Sequence, residues 1–306
     1  MPPPSSPGEN MPVLVQNHAS RFVTAPDGLK LHLRDYNPGA TDALPIVCLA
    51  GLSRNSGDFD VLALALANGA AGKPRRVLAL DYRGRGLSDV DADWQNYSVA
   101  VESGDILAVL TACGIAEAVF CGTSRGGIHI MALSAQRPTL IRAAILNDIG
   151  PVLEARGLAR IRSYIGKLPA PGSWPDAVDL LKRVNSEQFS GLDEAEWQIF
   201  ARTTFEEKAG RIVGRYDTRL MNTLAGIDLE APLPDMWPQF EGLRHVPVLV
   251  LRGENSDLLS AATVSQMQAR HGHCEAFTVP GQGHAPLLVD TASITRIADF
   301  IASAKV

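Results

Sequence analysis

One serine of the chain lies in a turn built mostly from small residues. Residues 122–127 read Gly-Thr-Ser-Arg-Gly-Gly and place Ser124 at the centre of a Gly-x-Ser-x-Gly pattern. An apolar run, residues 118–121, precedes this turn, and a helix-competent stretch, residues 128–136, follows it. Strand, sharp turn and helix form the context that exposes a nucleophilic serine at the edge of a sheet. Glycines permit the close packing that such a turn requires. We therefore predict that Ser124 is the nucleophile of an acyl-transfer reaction.

A serine hydroxyl needs a general base before it can attack a carbonyl carbon. The chain has seven histidines, and His284 is the one that ends a glycine-containing loop, Pro-Gly-Gln-Gly-His at residues 280–284. That loop follows the last strand-like run, and its glycines allow an imidazole to approach the serine turn. His129 lies inside the helix after that turn, a position typical of packing. We predict that His284 is the base.

The histidine in turn needs a carboxylate that fixes its tautomer and stabilises the imidazolium. Asp257 follows the strand-like run at residues 246–251 and gives the chain order Ser, Asp, His, which suits a serine turn of this kind. Glu254 in the same loop is an alternative. Asp148, directly after the run at residues 143–147, is another. We predict Asp257 as the acid and keep both alternatives open.

The negative oxygen of a tetrahedral intermediate is usually held by backbone N–H groups. One donor is expected from Arg125, the residue after the nucleophile. The second is expected from Leu52, in the loop after the apolar run at residues 45–50, where Gly51 lets the chain turn close to a substrate. An ordinary loop between a strand and a helix would also lie at this place in the sequence, so the assignment of Leu52 as a donor is a hypothesis.

Strands and helices alternate around these residues. Residues 21–24 and 29–36 flank an Asp-Gly pair, which indicates an antiparallel hairpin. Short, almost wholly apolar runs follow, as in parallel strands covered on both faces. They lie at residues 45–50, 76–81, 118–122, 143–147, 246–251 and 275–279, with helical patterns between them. This alternation predicts an α/β fold with a doubly wound, mostly parallel sheet.

The alternation stops between residues 151 and 238. That segment has no strand-like run, shows four helical stretches, and contains Trp174, Trp197 and Trp237. We predict a helical cap at 151–238, inserted into a core formed by residues 20–150 and 239–306. The tryptophans either line a pocket over Ser124 or form the core of the cap. Residues 1–19 are predicted to be a disordered tail, because residues 1–10 are rich in Pro, Ser and Gly.

Composition narrows the function classes. The chain has 306 residues, 46% of them hydrophobic, and a formal net charge of −5, which argues against nucleic acid as a partner. None of the four cysteines has zinc-ligand spacing, and no metal or cofactor site is expected. Free thiols and the lack of a signal peptide or membrane-spanning run favour a cytoplasmic protein that does not enter membranes.

Four blocks in order resemble the α/β-hydrolase superfamily: residues 49–52, residues 81–89, the serine turn, and Asp257 with His284. The resemblance is to the serine-nucleophile branch with a helical cap, which contains esterases, lactonases and carbon–carbon-bond hydrolases. It implies that Arg83 and Arg85, in the block at 81–89, mainly fix a loop. The serine also excludes the family's dehalogenases and epoxide hydrolases, which use aspartate at that position.

Two positions depart from the family's pattern. Ala50 stands before Gly51 where the family often has histidine, so a side-chain contact behind the oxyanion loop is absent. Ser256 occupies the position where the acid commonly lies, and Asp257 follows one residue later. A longer or bulged loop would be needed to bring Asp257 to His284.

These observations predict hydrolysis of a carboxylic ester or lactone through an acyl-enzyme, with a small apolar or aromatic substrate. A carbon–carbon-bond hydrolase is the alternative, for which Arg125 or the cap residues Arg156, Arg160, Arg162 and Arg183 would supply a cation. A non-catalytic receptor for a small molecule is a third hypothesis, but it would not need serine, histidine and acid together. Exposed apolar surface on the cap could support a homodimer.

Overall fold

A single eight-stranded sheet forms the centre of the protein, as the computed structural model describes it over residues 17–304. Its strands are β1 Ala19–Thr24, β2 Lys30–Tyr36, β3 Ile46–Leu49, β4 Val77–Leu80, β5 Ala118–Thr123, β6 Ile141–Asn147, β9 Val248–Gly253 and β10 Cys274–Val279. They lie in the order β1-β2-β4-β3-β5-β6-β9-β10. β1 and β2 pair antiparallel with their neighbours, and the other strands are parallel. The predicted α/β fold is confirmed.

The apolar runs that form β3, β4, β5, β6 and β9 are strands buried on both faces of the sheet. The edge strand β10 is largely exposed. Successive residues of β3, β4 and β5 alternate between two hydrophobic clusters, one on each side of the sheet. Helices cover both faces: α1 Asp60–Ala67, α2 Val99–Ala112, α3 Arg125–Gln136, α9 Ala261–Arg270 and α10 Thr291–Ser303. The Asp-Gly hairpin is present, and Gly28 adopts a φ of +95° in its turn.

The segment between β6 and β9 contributes no strand to the central sheet. The chain leaves the sheet at the end of β6 and re-enters it at the neighbouring strand, β9. Its helices are α4 Ala155–Tyr164, α5 Trp174–Asn185, α6 Glu194–Thr204, α7 Asn222–Ala225 and α8 Trp237–Glu241. Ser173 caps α5, and Asp193 with Glu196 forms a capping box on α6. We call residues 151–238 the insertion, and residues 17–150 and 239–304 the sheet domain.

The prediction that the insertion contains no strand is wrong. β7 Phe205–Lys208 and β8 Arg211–Gly214 form a two-stranded antiparallel hairpin directly after α6. Helix α6 therefore ends at Thr204, where the hairpin begins. Of the predicted disordered tail, residues 1–16 lie outside the described residues, while Ala19 already belongs to β1. Within the described part of the chain, no helix is long and apolar enough to cross a bilayer.

Candidate active site

Ser124 lies at a strained turn between β5 and α3. Its φ is +52°, a value that residues with a side chain rarely adopt. The turn is tight, because a Cβ on Gly122 would lie 2.4 Å from the carbonyl carbon of Gly126. The Ser124 N–H donates to the carbonyl of Asn147 at 3.0 Å, which ties the turn to the end of β6. The predicted strand, sharp turn and helix are therefore all present.

His284 approaches this serine from the loop between β10 and α10. Its Nε2 lies 2.9 Å from Ser124 Oγ, within hydrogen-bond distance. The ring is almost fully buried, and its backbone N–H donates to Oε1 of Gln188 at 3.0 Å. Gln188 belongs to the insertion, so the insertion helps to hold the histidine loop. Sequence reasoning did not single out Gln188.

Asp148 is the carboxylate that contacts His284. Its Oδ2 lies 2.8 Å from Nδ1 of the imidazole, and its side chain is fully buried. The Gly253 N–H donates to Oδ1 at 2.8 Å, and Ser256 Oγ donates to Oδ2 at 2.5 Å. Ser124, His284 and Asp148 thus form one continuous hydrogen-bonded chain.

The prediction that Asp257 supports His284 is wrong. Its carboxylate forms a two-point ion pair with Arg160 on α4, at 2.6 and 3.0 Å. Glu254 accepts the backbone N–H of Gly281 and does not contact the histidine either. The reason lies in the sheet order: β6 runs between β5 and β9, so the residue that follows β6 emerges between the serine turn and the β9 loop.

The two predicted oxyanion donors lie on either side of Ser124. A Cβ on Gly51 would lie 3.8 Å from Ser124 Cβ, so the loop that carries Leu52 passes against the serine. Among the described residues, the Leu52 N–H has no hydrogen-bond acceptor. Arg125 is the first residue of α3, and its side chain turns away to Glu102. Their role as donors stays a prediction.

A cavity of about 1120 Å³, counted with its opening to solvent, covers Ser124 and His284. The sheet domain supplies Ser124, His284 and part of the apolar lining, and the insertion supplies most of the apolar wall. The wall residues from the insertion include Ile161, Tyr164, Ile165, Leu168, Leu181, Val184, Phe189, Ile199 and Phe200. None of the three tryptophans lines it. Trp174 and Trp197 pack in the insertion's own core, and Trp237 packs against the sheet domain.

Charge within the cavity is already paired. Arg54 is the one arginine or lysine among the described lining residues. Its guanidinium donates to both oxygens of Asp58, at 2.7 and 2.5 Å, and to the hydroxyls of Thr203 and Thr204. The predicted cations Arg125, Arg156, Arg160, Arg162 and Arg183 do not line the cavity. Across residues 17–304, no cluster of three or more His, Cys, Asp or Glu could hold a metal ion.

A sequence model of the alpha/beta hydrolase family matches residues 46–296, most of the chain. The chain belongs to this family. This α/β hydrolase is 30% identical over 292 residues to a 3-hydroxybutyrate-oligomer hydrolase of Cupriavidus necator, covering 92% of the chain and 97% of that protein. It is 29% identical to an sn-1-specific diacylglycerol lipase of Mus musculus, covering 78% of the chain and 74% of the lipase.

A crystal structure of an α/β hydrolase from Novosphingobium aromaticivorans superimposes on this α/β hydrolase with a TM-score of 0.85. The two sequences are 38% identical, and the match covers 93% of this chain and 98% of the other. The relatives are hydrolases, and the resemblance inferred from the four sequence blocks is confirmed.

Proposed function

We propose that this α/β hydrolase cleaves a carboxylic ester or lactone through an acyl-enzyme. The observation that carries the proposal is the hydrogen-bonded chain from Ser124 through His284 to Asp148 at the floor of an apolar cavity. A neutral imidazole that receives a hydrogen bond at one nitrogen and gives one at the other is arranged to take the serine proton. Asp148 replaces Asp257 as the acid of this proposal.

The reaction would run in two halves. Ser124 Oγ attacks the ester carbonyl carbon while His284 Nε2 takes its proton, and the carbonyl oxygen becomes an oxyanion held by the N–H groups of Leu52 and Arg125. Collapse breaks the bond to the leaving alkoxide, which receives the proton from His284. Water then attacks the acyl-enzyme with His284 again as base, and the carboxylic acid and Ser124 are released. In a lactone, the leaving alkoxide stays attached to the acid.

The cavity favours an apolar acyl group of modest size, because its wall is mostly aliphatic and aromatic. Oligomers of a hydroxy acid and diacylglycerols, which name two of the relatives, are both carboxylic esters. A carbon–carbon-bond hydrolase needs a cation for a developing enolate or carboxylate, and Arg54 already shares its charge with Asp58. We therefore rank ester hydrolysis first.

We also propose that the insertion acts as a cap, and that the protein works in the cytoplasm, where its free thiols would stay reduced.

The test uses p-nitrophenyl acetate, butyrate and hexanoate, together with 3-hydroxybutyrate dimer and trimer. We expect wild-type turnover and labelling by a fluorophosphonate probe, and a loss of kcat on the order of 10⁴-fold or more in Ser124→Ala. Ser53→Ala, which removes a neighbouring hydroxyl at the same cavity, is the matched control and should keep its labelling. A wild-type protein that neither turns over esters nor reacts with the probe would overturn the proposal.

A further inference from the structure

The loop that carries Leu52 is held by its carbonyl groups. Tyr82 Oη donates to the Ala50 carbonyl at 3.2 Å, the Arg54 N–H donates to that of Gly51 at 3.2 Å, and Arg85 Nε donates to that of Leu52 at 2.8 Å. Because a trans peptide is planar, a held carbonyl fixes the direction of the next residue's N–H. The Gly51 carbonyl therefore orients the Leu52 N–H, and the bond from Arg85 to the Leu52 carbonyl fixes the peptide plane that follows. Three consecutive peptide planes beside Ser124 are thus held, with the Leu52 N–H in the middle one.

Arg85 is the charged member of this set, and it is 1% exposed. Ala50 has only a methyl group and cannot hold the loop itself. The Arg85 guanidinium also donates to the Arg83 carbonyl at 2.6 Å and to Oε1 of Glu102 at 2.7 Å, and it lies over the rings of Tyr82 and Tyr97. Its position is therefore determined from several directions.

Glu102, on α2, connects Arg85 to Arg125, the residue that follows Ser124. Its second oxygen, Oε2, accepts from Arg125 Nε at 2.6 Å and lies 3.1 Å from His129 Nε2. The Glu102 side chain is fully buried. Burial alone would raise the pKa of Glu102, but the guanidiniums of Arg85 and Arg125 and the ring of His129 outweigh it and hold that pKa below its ordinary value. Glu102 is therefore an ionised acceptor at neutral pH.

We propose that Arg85 and Glu102 are positioning residues for the oxyanion hole. Arg85 holds the Leu52 carbonyl, and Glu102 joins the side chains of Arg85 and Arg125. This inference rests on the proposed acyl-transfer function. Neither residue lines the cavity. Arg85 acts through the peptide that follows Leu52, and Glu102 acts through the side chains of Arg85 and Arg125. Oxyanion donors contribute mainly to the transition state, so their displacement should lower kcat and leave KM nearly unchanged.

The experiment compares Arg85→Lys and Glu102→Gln with Arg83→Lys. Arg83 is equally buried in the same loop, but its side chain binds Asp27, Asp91 and Asp105 and not the loop at residues 50–54. We expect Arg85→Lys and Glu102→Gln to lower kcat for p-nitrophenyl butyrate by roughly 10- to 100-fold, with KM within about 2-fold of wild type. Arg83→Lys should lower the melting temperature without this loss of kcat.

Amide hydrogen exchange at Arg54, whose N–H donates to the Gly51 carbonyl, supplies a readout that does not depend on catalysis. It should become faster in Arg85→Lys and stay at the wild-type rate in Arg83→Lys. Unchanged exchange in Arg85→Lys, or an equal fall of kcat in the Arg83 control, would overturn the positioning role even if the protein is an esterase. Loss of esterase activity in the wild type itself would instead overturn the proposed function, and the catalytic part of this inference with it.

Discussion

Asp148 illustrates how a single residue is selected by its surroundings. It adopts a φ of +52°, a conformation that Asp, Asn and Gly tolerate better than other residues do. Its two carboxylate oxygens serve three groups: the His284 imidazole, the Ser256 hydroxyl and the Gly253 N–H. Ser256 is the residue at which sequence comparison expects the acid. In this protein the Ser256 hydroxyl donates to the Asp148 carboxylate, which contacts His284 in place of an acid at position 256.

This geometry makes a prediction about Asp148→Asn. The substitution keeps the size and tolerates the backbone conformation, but an amide nitrogen would present a donor where His284 or Gly253 also donates. The imidazole would then lose the acceptor that fixes its tautomer. We expect kcat for p-nitrophenyl butyrate to fall on the order of 10³- to 10⁴-fold with little change in KM.

Asp257→Asn is the control for this prediction. It weakens the ion pair with Arg160 and leaves the contacts of His284 intact. We expect most of the activity to remain, together with a small decrease in melting temperature. A larger loss of kcat in Asp257→Asn than in Asp148→Asn would return the acid to its sequence-predicted position.

The same residue shows what sequence alone can establish about the site. Ser124 and His284 stand in local patterns, a glycine turn and a glycine loop, so their roles can be predicted without the fold. The acid stands in no such local pattern. Asp148, Glu254 and Asp257 all lie in loops that follow predicted strands, so each is a candidate. Choosing among them requires the order of strands in space. One local clue points to Asp148: a serine at the expected acid position needs an acceptor, and Asp148 directly follows a buried strand.

At the scale of elements, burial decides which ones sequence can reveal. The inner parallel strands β3 to β6 and β9 are covered on both faces and read as apolar runs, so their bounds are predictable to within a few residues. The hairpin β7–β8 was missed because its strands are short and mostly exposed, with the sequence Phe-Glu-Glu-Lys in β7. Its turn, Ala209 and Gly210, has positive φ at both residues, as two-residue hairpin turns require, and Gly210 was the one local clue.

Helix α5 provides a test of the cavity wall. Val184 lines the cavity and is partly buried, so Val184→Phe should fill space that an acyl chain would otherwise occupy. We expect kcat/KM for the hexanoate ester to fall about 10-fold or more while that for the acetate ester changes little. Val213→Phe, on β8 and outside the cavity lining, is the control. Equal effects on both esters would show that the acyl group binds elsewhere.

At the scale of the whole molecule, polar contacts hold the insertion on the sheet domain. Tyr97 Oη donates to Asp217 at 2.5 Å, the Asn55 side-chain amide donates to the Thr203 carbonyl at 2.7 Å, and Arg160 pairs with Asp257. Gln188 adds the contact to the His284 backbone. Because the insertion also contacts the backbone of His284, global stability and the geometry of the site are linked. Buried ionisable groups make the free energy of unfolding depend on pH.

His129 gives the clearest case of this dependence. Burial, aided by the charges of Arg125 and Arg85, lowers its pKa in the folded protein below the ordinary 6.5, although Glu102 opposes the shift. Well above pH 6.5 the ring is neutral in both states and contributes no pH dependence. Below that value the unfolded chain binds a proton that the folded protein does not, so the free energy of unfolding decreases as the pH falls.

We expect this contribution to reach a slope of up to about 1.4 kcal/mol per pH unit below pH 6.5, and to be absent in His129→Gln. Urea unfolding between pH 5 and 8 would measure it, a range above the ordinary pKa of Glu102, which is 4.5 and is lowered further by folding. His273→Gln, which removes an exposed histidine, controls for the loss of a ring as such. If wild type and His129→Gln keep parallel pH profiles, His129 binds its proton equally in both states, and its contact with Glu102 does not couple folding to pH.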